Sequence, residues 1–310
     1  MPKRLLHLLP SLISVVLLIA SIWVIRQELQ QYEHQDIWQH LTAIPKSSVV
    51  WAIALTLLNV IVFTGYDTLS AQYVGHPLPY SQTALVAATS IPISNSVGLA
   101  LLSGSAIRYR FYSPWGVPPI KIAQMIAFCN LSFWLGLFSV GGLLFLFQPI
   151  HIPSSLHLPV QSTQPIGVIF LSIIAAYLLW NRLIQKPLHV AGITIPHLPM
   201  NLCIWQIAVS SLDWTLAAAV LYALLPSNTF VPYASYFGIY LLAQFAGLVS
   251  NVPGGLGVFE TVMLLLLPPA VSSIALFGSL IAYRVIHYLL PLGIAALLIA
   301  GYEIHSRQIN

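Results

Sequence analysis

The sequence predicts an all-α polytopic membrane protein with about eight membrane elements. Of its 310 residues, 58% are hydrophobic and 6% are charged, whereas a soluble domain carries roughly a quarter charged residues. Apolar stretches of about 20 residues, the length that crosses ~30 Å of hydrocarbon, recur along nearly the whole chain. No segment is left for a separate soluble catalytic domain, so residues 1–310 are expected to form a single integral membrane domain.

The order of the elements follows from the positions of the apolar stretches. They cover 8–26, 48–68, 82–107, 121–147, 166–181, 202–225, 233–270 (interrupted) and 272–300. The first stretch is too long for a signal peptide and lacks its small-residue cleavage site, so we expect it to be retained. The connection 148–165 is rich in proline and lacks Lys and Arg, which is typical of a loop on the trans side.

The basic residues of the short loops predict two re-entrant hairpins. If 82–107 crossed the membrane once, Arg108 and Arg110 would lie opposite the basic residues near the N-terminus, contrary to the positive-inside rule. If this segment instead enters the membrane and returns, all of these residues are cytoplasmic. Arg307 joins them only if 238–263 is also re-entrant, from the trans face. Both termini are then predicted to be cytoplasmic.

A short internal match supports the same arrangement. The motif "SNSVG" at 94–98 returns as "SNVPG" at 250–254, about half the chain length later, and small residues follow both. Corresponding breaks in two halves of opposite topology are typical of inverted-repeat transporters, whose substrate site lies between broken helices near the midplane. The halves would cover 1–147 and 166–305, with Asn95 and Asn251 among the substrate-binding candidates. The alternative is a chance match in an apolar chain.

The segment "SNVPGGLGVFE" at 250–260 is predicted to break a helix at membrane depth. Gly254, Gly255 and Gly257 tolerate positive φ, and Pro253 removes a backbone donor. Irregular backbone in the membrane must be buried in protein or face a water-filled cavity. The free N–H groups at the start of the following half-helix would attract an anion such as a lipid phosphate. The alternative is that the glycines only permit close helix packing.

Four ionisable residues lie in or at the edges of apolar segments, namely Asp67, Asp213, Glu260 and Arg284. One such group at the bilayer centre costs roughly 2.5–3.5 kcal/mol, so these side chains should face inward. A Glu260–Arg284 or Asp213–Arg284 ion pair that only fixes helix packing is one interpretation, and contact with a charged head group is the other. Asp67 lies nearer a helix end, where interfacial solvation makes a functional role less compelling.

Arg108 and Arg110 alternate with aromatic residues in "SGSAIRYRFYSPWG", just after the first predicted hairpin. Arginine at the membrane interface binds anionic head groups, and tyrosine and tryptophan are typical of that layer. Ordinary positive-inside anchoring explains the same residues equally well.

Other chemistries lack support in the sequence. The ten histidines show no paired metal spacing, and "GGLG" lacks the strand–turn–helix context of a dinucleotide loop. No GxSxG frame surrounds the serines. The basic residues are spread over membrane loops, so the net charge of +4 requires no nucleic-acid partner. We therefore expect no cofactor, no metal and no nucleic acid.

Three stretches resemble a known family: "SNVPGGLGVFE", the following "LIAYRVIHYLLPL" and the preceding "GSAIRYRFYSPWGVPPIKIAQMIAFCNLSFWLGL". They are similar to the transmembrane flippase domain of bacterial lysylphosphatidylglycerol synthetases, the multiple peptide resistance factors, and to YbhN-type inner-membrane proteins. The resemblance implies a helical lipid translocase with inverted repeats and re-entrant helices. The positions it implicates are Pro253, Gly254, Gly255, Gly257, Glu260, Arg284, Arg108 and Arg110.

The resemblance implies that the chain is a phospholipid flippase for phosphatidylglycerol or lysyl-phosphatidylglycerol. The full-length synthetases also carry a cytosolic aminoacyl-transferase domain, so synthase activity is not expected here. Two other classes stay open: a non-transporting accessory subunit of a lipid-modifying enzyme or glycosyltransferase, and a membrane-embedded transferase. Membrane phospholipids are the expected partners, and a homo-oligomer or a separate lipid-modifying enzyme is left open.

Overall fold

The computed structural model describes residues 39–97, 100–150, 161–184, 187–190, 193–195, 197–226, 231–250, 252–267 and 271–309. The predicted first membrane element, 8–26, lies outside these residues. So do the middle of the predicted trans-side loop, 151–160, and the candidate residue Asn251.

Ten helices make up nearly all of the described chain, which confirms the predicted all-α membrane protein. They are α1 Lys46–Tyr73, α2 Tyr80–Val97, α3 Ala100–Tyr112, α4 Pro119–Phe147, α5 Gln164–Leu183, α6 Met200–Leu224, α7 Tyr233–Val249, α8 Val258–Leu266, α9 Ser273–Tyr283 and α10 Leu290–Ile309. A 3₁₀ turn, Pro253–Gly255, precedes α8, and a π-helical segment, Arg284–Leu289, joins α9 to α10. A two-stranded antiparallel hairpin, β1 Leu188–Val190 and β2 Ile193–Ile195, precedes α6 and was not predicted from the sequence.

Within the described part of the chain, five apolar helical stretches are long enough to cross a membrane: Lys46–Tyr73, Pro119–Phe147, Gln164–Leu183, Met200–Leu224 and Ser273–Ile304. Their outer faces expose large apolar side chains, as at Trp51, Phe147 and Leu297. Extensive exposed apolar surface is unfavourable in water and suits contact with lipid tails. The chain is therefore a multi-pass membrane protein.

Prolines mark where several of these helices begin. Pro45, Pro118, Pro199 and Pro232 stand immediately before α1, α4, α6 and α7, with φ between −56° and −61°. Proline suits the start of a helix because the first backbone N–H groups have no intrahelical acceptor in any case.

Helices α1 and α6 form the centre of the protein and run antiparallel. Gly65 of α1 lies against Val209, and Asn59, further back along α1, hydrogen-bonds Asp213, further along α6. The end of α1 and the start of α6 therefore lie on the same side. Helix α4 packs against α6 with Gly136 beside the Ser210 backbone, a close approach that small residues allow in membrane proteins.

Two helical hairpins enter this core from opposite ends. Helices α2 and α3 pack against each other after α1 ends, and α7 and α8 pack against each other after α6 ends. Because α1 and α6 are antiparallel, the open ends of the two hairpins lie at opposite ends of the central pair. The stretch 82–107 is thus two helices and extends to Tyr112. The interruption predicted within 233–270 is confirmed by the 3₁₀ turn.

The last helical stretch is widened by its π segment. Arg284–Leu289 follows α9 without a break, and Pro291, just beyond it in α10, has no N–H to donate to the preceding turn. A π segment inside a helix changes the direction in which its side chains project and is frequent at functional sites. Here the segment begins at Arg284, a residue implicated by the sequence.

Candidate functional site

The glycine-rich turn before α8 has the backbone that its sequence predicts. Gly254, Gly255 and Gly257 have φ of 59°, 61° and 80°. Side chains with a Cβ rarely adopt these conformations. The turn therefore needs glycine at all three positions, and it exposes the Gly254 carbonyl to the end of Arg284.

Arg284 binds the turn and the helix that follows it. Its Nη1 donates to the Gly254 carbonyl at 2.7 Å, and its Nε donates to Glu260 Oε1 at 2.8 Å. Nη2 lies 2.6 Å from the same carboxylate oxygen. The Glu260–Arg284 pair suggested by the sequence is present, and the alternative Asp213–Arg284 pair is not found among the described residues.

Glu260 has a second role at the start of α8. Its Oε2 accepts the Gly257 N–H at 2.7 Å, so its carboxylate satisfies a backbone donor that the helix leaves free. The negative charge also lies at the positive end of the helix dipole. One carboxylate thus holds both the turn and the guanidinium.

Aromatic rings cover the guanidinium of Arg284. Its Cζ is 4.9 Å from the ring centroid of Tyr288 and 5.7 Å from that of Phe259, distances at which a cation is attracted to the face of a ring. The Arg284 side chain keeps 18% of its surface exposed. More of this side chain is therefore accessible than of Arg108, the arginine of a second buried ion pair, whose side chain is 7% exposed.

The two hairpin tips meet at this arginine. A Cβ built on Gly254 would lie 3.5 Å from Arg284 Nη1 and 3.6 Å from the Asn95 carbonyl oxygen. Asn95 belongs to the first "SN" motif and Gly254 to the second. The structure thus brings together two motifs that lie 156 residues apart in the sequence.

The first hairpin holds a second buried ion pair. Asp67, fully buried in α1, accepts Arg108 Nε at 2.9 Å and Nη2 at 2.8 Å, and it also accepts the Tyr112 hydroxyl at 2.8 Å. Arg108 is 6% exposed, and its guanidinium is held inside the protein by Asp67. We expected Asp67 to be solvated at the interface, but its side chain is fully buried in the protein. The sequence held one signal for this pair. An arginine within a membrane hairpin needs a buried anionic partner, and Asp67 is a carboxylate in the preceding helix.

Asp213 forms a different kind of cluster between α1 and α6. It accepts Asn59 Nδ2 at 2.8 Å and the Tyr66 hydroxyl at 2.7 Å, and it is 8% exposed. Asn59 and Tyr66 were not predicted from the sequence, because neither is charged and neutral polar residues are not conspicuous in an apolar segment. Among the described residues, Asp213 forms no hydrogen bond or ion pair with Arg284 or Glu260.

Arg110 forms an ion pair with Glu303 at the protein surface. The pair stands at one end of a groove of about 630 Å³ between α2 and α10. The remaining lining side chains are apolar: Ile93, Leu292, Ala296, Ile299, Ala300 and Ile304. From Glu303 the groove follows α10 towards Leu292, close in sequence to the π segment that carries Arg284.

Metal binding lacks a site in the described residues, where no group of three His, Cys, Asp or Glu side chains could hold an ion. The functional candidates are thus two buried arginine–carboxylate pairs, one buried carboxylate hydrogen-bonded by neutral groups, and a meeting point of two helical hairpins.

This fold and these buried pairs define a polytopic α-helical membrane protein built around two opposed helical hairpins. The chain belongs to the family of the uncharacterized protein slr0712 of Synechocystis, with 48% identity over 308 residues that cover 99% of this chain and 96% of that protein. It is 26% identical over 314 residues to the inner membrane protein YbhN of Escherichia coli, covering 98% and 95% of the two chains. The predicted resemblance to YbhN-type proteins is confirmed.

The chain is also 25% identical over 287 residues to the phosphatidylglycerol lysyltransferase of Staphylococcus xylosus. That similarity covers 89% of this chain but 32% of the lysyltransferase. The chain thus corresponds to about a third of that longer relative. No protein-family model matches the chain.

Proposed function

We propose that this protein is a phospholipid translocase of the bacterial inner membrane, which moves an anionic or aminoacylated phospholipid of the phosphatidylglycerol or lysyl-phosphatidylglycerol type between leaflets. The observation that carries the proposal is the meeting of the two hairpin tips, Asn95 and Gly254, at Arg284. The names of the relatives support the lipid class and the membrane, since one is a phosphatidylglycerol lysyltransferase and another an inner membrane protein.

Arg284 is the group that would bind the lipid phosphate. A guanidinium forms two parallel hydrogen bonds with a phosphate as readily as with a carboxylate. The phosphate would replace Glu260 at Nε and Nη2, which leaves the Glu260 carboxylate bound to the Gly257 N–H and without its cation. The N–H groups at the start of α8 add further donors on the same side of the turn.

Glu260 would then be free to bind a cationic head group. Of the two carboxylates that the sequence offered for this role, Glu260 and Asp213, Glu260 is the one in contact with Arg284. An aminoacylated lipid carries its phosphate and its amine on one head group. It therefore matches a site in which a cation and a carboxylate lie side by side.

The groove between α2 and α10 suits an acyl chain. Its lining is apolar apart from Arg110 and Glu303 at one end, and Leu292 and Glu303 lie about 17 Å apart along α10, from the 1.5 Å rise per residue. A lipid tail in this groove would keep the tail in the hydrocarbon layer while the head group reaches the hairpin tips. The sequence carries no nucleotide-binding motif, so the proposal does not involve ATP hydrolysis by this chain.

Leaflet exchange in liposomes tests the proposal. Purified protein is reconstituted with fluorescent phosphatidylglycerol or fluorescent lysyl-phosphatidylglycerol, and a membrane-impermeant quencher reports the lipid that reaches the outer leaflet. We expect exchange with the wild type and its loss with Arg284→Ala. Arg182→Ala, which removes an exposed charge at the end of α5, is the matched control and should exchange lipid like the wild type.

The variants must first be shown to be folded, by size-exclusion chromatography and circular dichroism. Absence of exchange by folded wild-type protein with both lipids would refute the proposed function. It would favour a non-transporting accessory subunit, in which the buried ion pairs only fix the helices. Copurification of a lipid-modifying enzyme would then identify that role.

A further inference from the structure

Among the buried carboxylates that the structure describes, one differs from the others because no described cation pairs with it. Asp67 is paired with Arg108 and Glu260 with Arg284. Asp213 lies in the middle of α6, 8% exposed, and its carboxylate accepts hydrogen bonds from the neutral Asn59 and Tyr66. Among the described side chains, none that is cationic forms an ion pair or a hydrogen bond with it.

The elements packed against α6 do not supply a cation either. Helix α1 contributes the Tyr66 hydroxyl, and the neighbouring Asp67 faces Arg108. The other titratable side chains that lie buried or half-buried on the described parts of α4, α5, α7 and α9 are neutral groups: Cys129, Tyr177, Tyr233, Tyr236, Tyr240 and Tyr283. An isolated carboxylate in the middle of a membrane helix is costly when ionised.

We infer that Asp213 is the site of a single exchangeable proton that couples lipid transport to the proton gradient. The inference rests on the proposed function and deepens it by naming the coupling ion. The step is a simple protonation, in which the carboxylate takes a proton from water on one side of the membrane and returns it on the other.

Asn59 is suited to bind both forms of this carboxyl group. In the ionised form its Nδ2 donates to Asp213 Oδ1 at 2.8 Å. Its own Oδ1 is buried and has no hydrogen-bond partner. A half-turn of the amide would present that oxygen to a protonated carboxyl group, since an amide offers two donors on one side and an acceptor on the other. The unpartnered oxygen is thus explained by the second protonation state.

The position of Tyr66 links this site to the first hairpin. Tyr66 donates to Asp213, and the next residue, Asp67, holds Arg108 of α3. A change in the charge of Asp213 therefore acts on Tyr66, the neighbour of the Asp67 that binds Arg108 of α3. The tip of that hairpin is the one that meets Gly254, so the proton site and the lipid site share a structural element.

Infrared difference spectroscopy tests the proton site without requiring transport. Reconstituted wild-type protein is titrated, and the carbonyl stretch of protonated carboxyl groups is followed. We expect a pH-dependent band that is absent in Asp213→Asn, which keeps the size of the side chain, and unchanged in Glu303→Gln, a half-exposed carboxylate. An identical titration in wild type and Asp213→Asn would overturn the inference.

A second variant keeps the test independent of folding defects in the first. Tyr66→Phe removes one donor to the ionised carboxylate while retaining the ring. We therefore expect the carboxyl band to persist to a pH about one to two units higher than in the wild type. A band that does not move in Tyr66→Phe would contradict the assignment to Asp213.

Liposomes with imposed gradients separate this inference from the proposed function. We expect a pH gradient to change the rate of lipid exchange at least severalfold in wild type and not in Asp213→Asn. Exchange that is indifferent to pH, or that follows a sodium gradient, would overturn the coupling and leave the translocase standing. A titrating Asp213 in protein that exchanges no lipid would refute the translocase and leave the proton site standing.

Discussion

The guanidinium of Arg284 and the carboxylate of Glu260 are separated by 24 residues in the chain and by 2.8 Å between Nε and Oε1. The same carboxylate accepts the Gly257 N–H, and the same guanidinium donates to the Gly254 carbonyl. The pair thus connects the π segment to the glycine-rich turn. Any ligand that replaces Glu260 at Arg284 changes the support of that turn.

Breaking this pair should be costly in stability. We expect Arg284→Ala to lower the free energy of unfolding in detergent by about 3–5 kcal/mol, because Glu260 is left buried without a counter-charge. The double variant Arg284→Met with Glu260→Gln should lose less. Arg110→Ala, which breaks the exposed Glu303 pair, is expected to cost at most about 1 kcal/mol. If Arg284→Ala and Arg110→Ala lowered the free energy of unfolding equally, the Arg284 pair would be as solvated as the exposed one.

The hydroxyl of Tyr112 should stabilise the first hairpin through Asp67. Tyr112→Phe removes a hydrogen bond to a buried carboxylate, which is worth about 1.5–3 kcal/mol. Chemical denaturation in detergent measures the change. Tyr80→Phe serves as the control because the Tyr80 ring is exposed, and an unchanged stability in Tyr112→Phe would mean that Asp67 is bound by Arg108 alone.

Gly136 should be required for the packing of α4 on α6. A Cβ there would lie 2.5 Å from the carbonyl carbon of Ser210, and backbone cannot move aside without shifting a helix. Gly136→Ala should therefore cost about 1–3 kcal/mol, measured by the same denaturation. Gly301→Ala, where a Cβ meets nothing within 4 Å, should be neutral or slightly stabilising.

The turn before α8 should not tolerate a side chain at Gly257. Its φ of 80° and ψ of −44° are strained for any other residue, so Gly257→Ala is expected to cost about 1–3 kcal/mol and to slow lipid exchange. Gly293→Ala in α10 is the matched control, since a Cβ there has open space. Wild-type exchange in folded Gly257→Ala would separate this turn from transport.

The contact between the hairpin tips can be tested by cross-linking. We expect Asn95→Cys with Leu256→Cys, an exposed side chain of the same turn as Gly254, to be joined by a bifunctional thiol reagent, in a protein whose two native cysteines are replaced by alanine. Asn95→Cys with Gly301→Cys is the control. Lipid exchange should fall in the cross-linked protein, and free exchange after complete cross-linking would show that the tips do not need to separate.

Much of the site could be predicted from the sequence because charge and glycine are conspicuous in an apolar chain. Glu260, Arg284 and the three glycines of the turn were found in this way. The structure joins Arg284 to Glu260 and to the Gly254 carbonyl, and Glu260 to the Gly257 N–H. The pairing of Asp67 with Arg108 was not predicted, since Asp67 lies near a helix end and a position in sequence does not reveal burial. Asn59 and Tyr66 carry no charge, and only their contacts with Asp213 distinguish them from other polar residues.

The sequence by itself determined that the chain is a bundle of membrane helices, where most helices begin, and that 233–270 is interrupted at the glycine-rich turn. These properties depend on local composition, proline positions and segment length, which the bilayer and the backbone constrain directly. The tertiary structure decided which charge meets which, how closely the hairpin tips approach, and that Asp213 has no cationic partner among the described residues. Such properties depend on how distant helices pack, and several pairings satisfy the same rule that a buried charge must face inward.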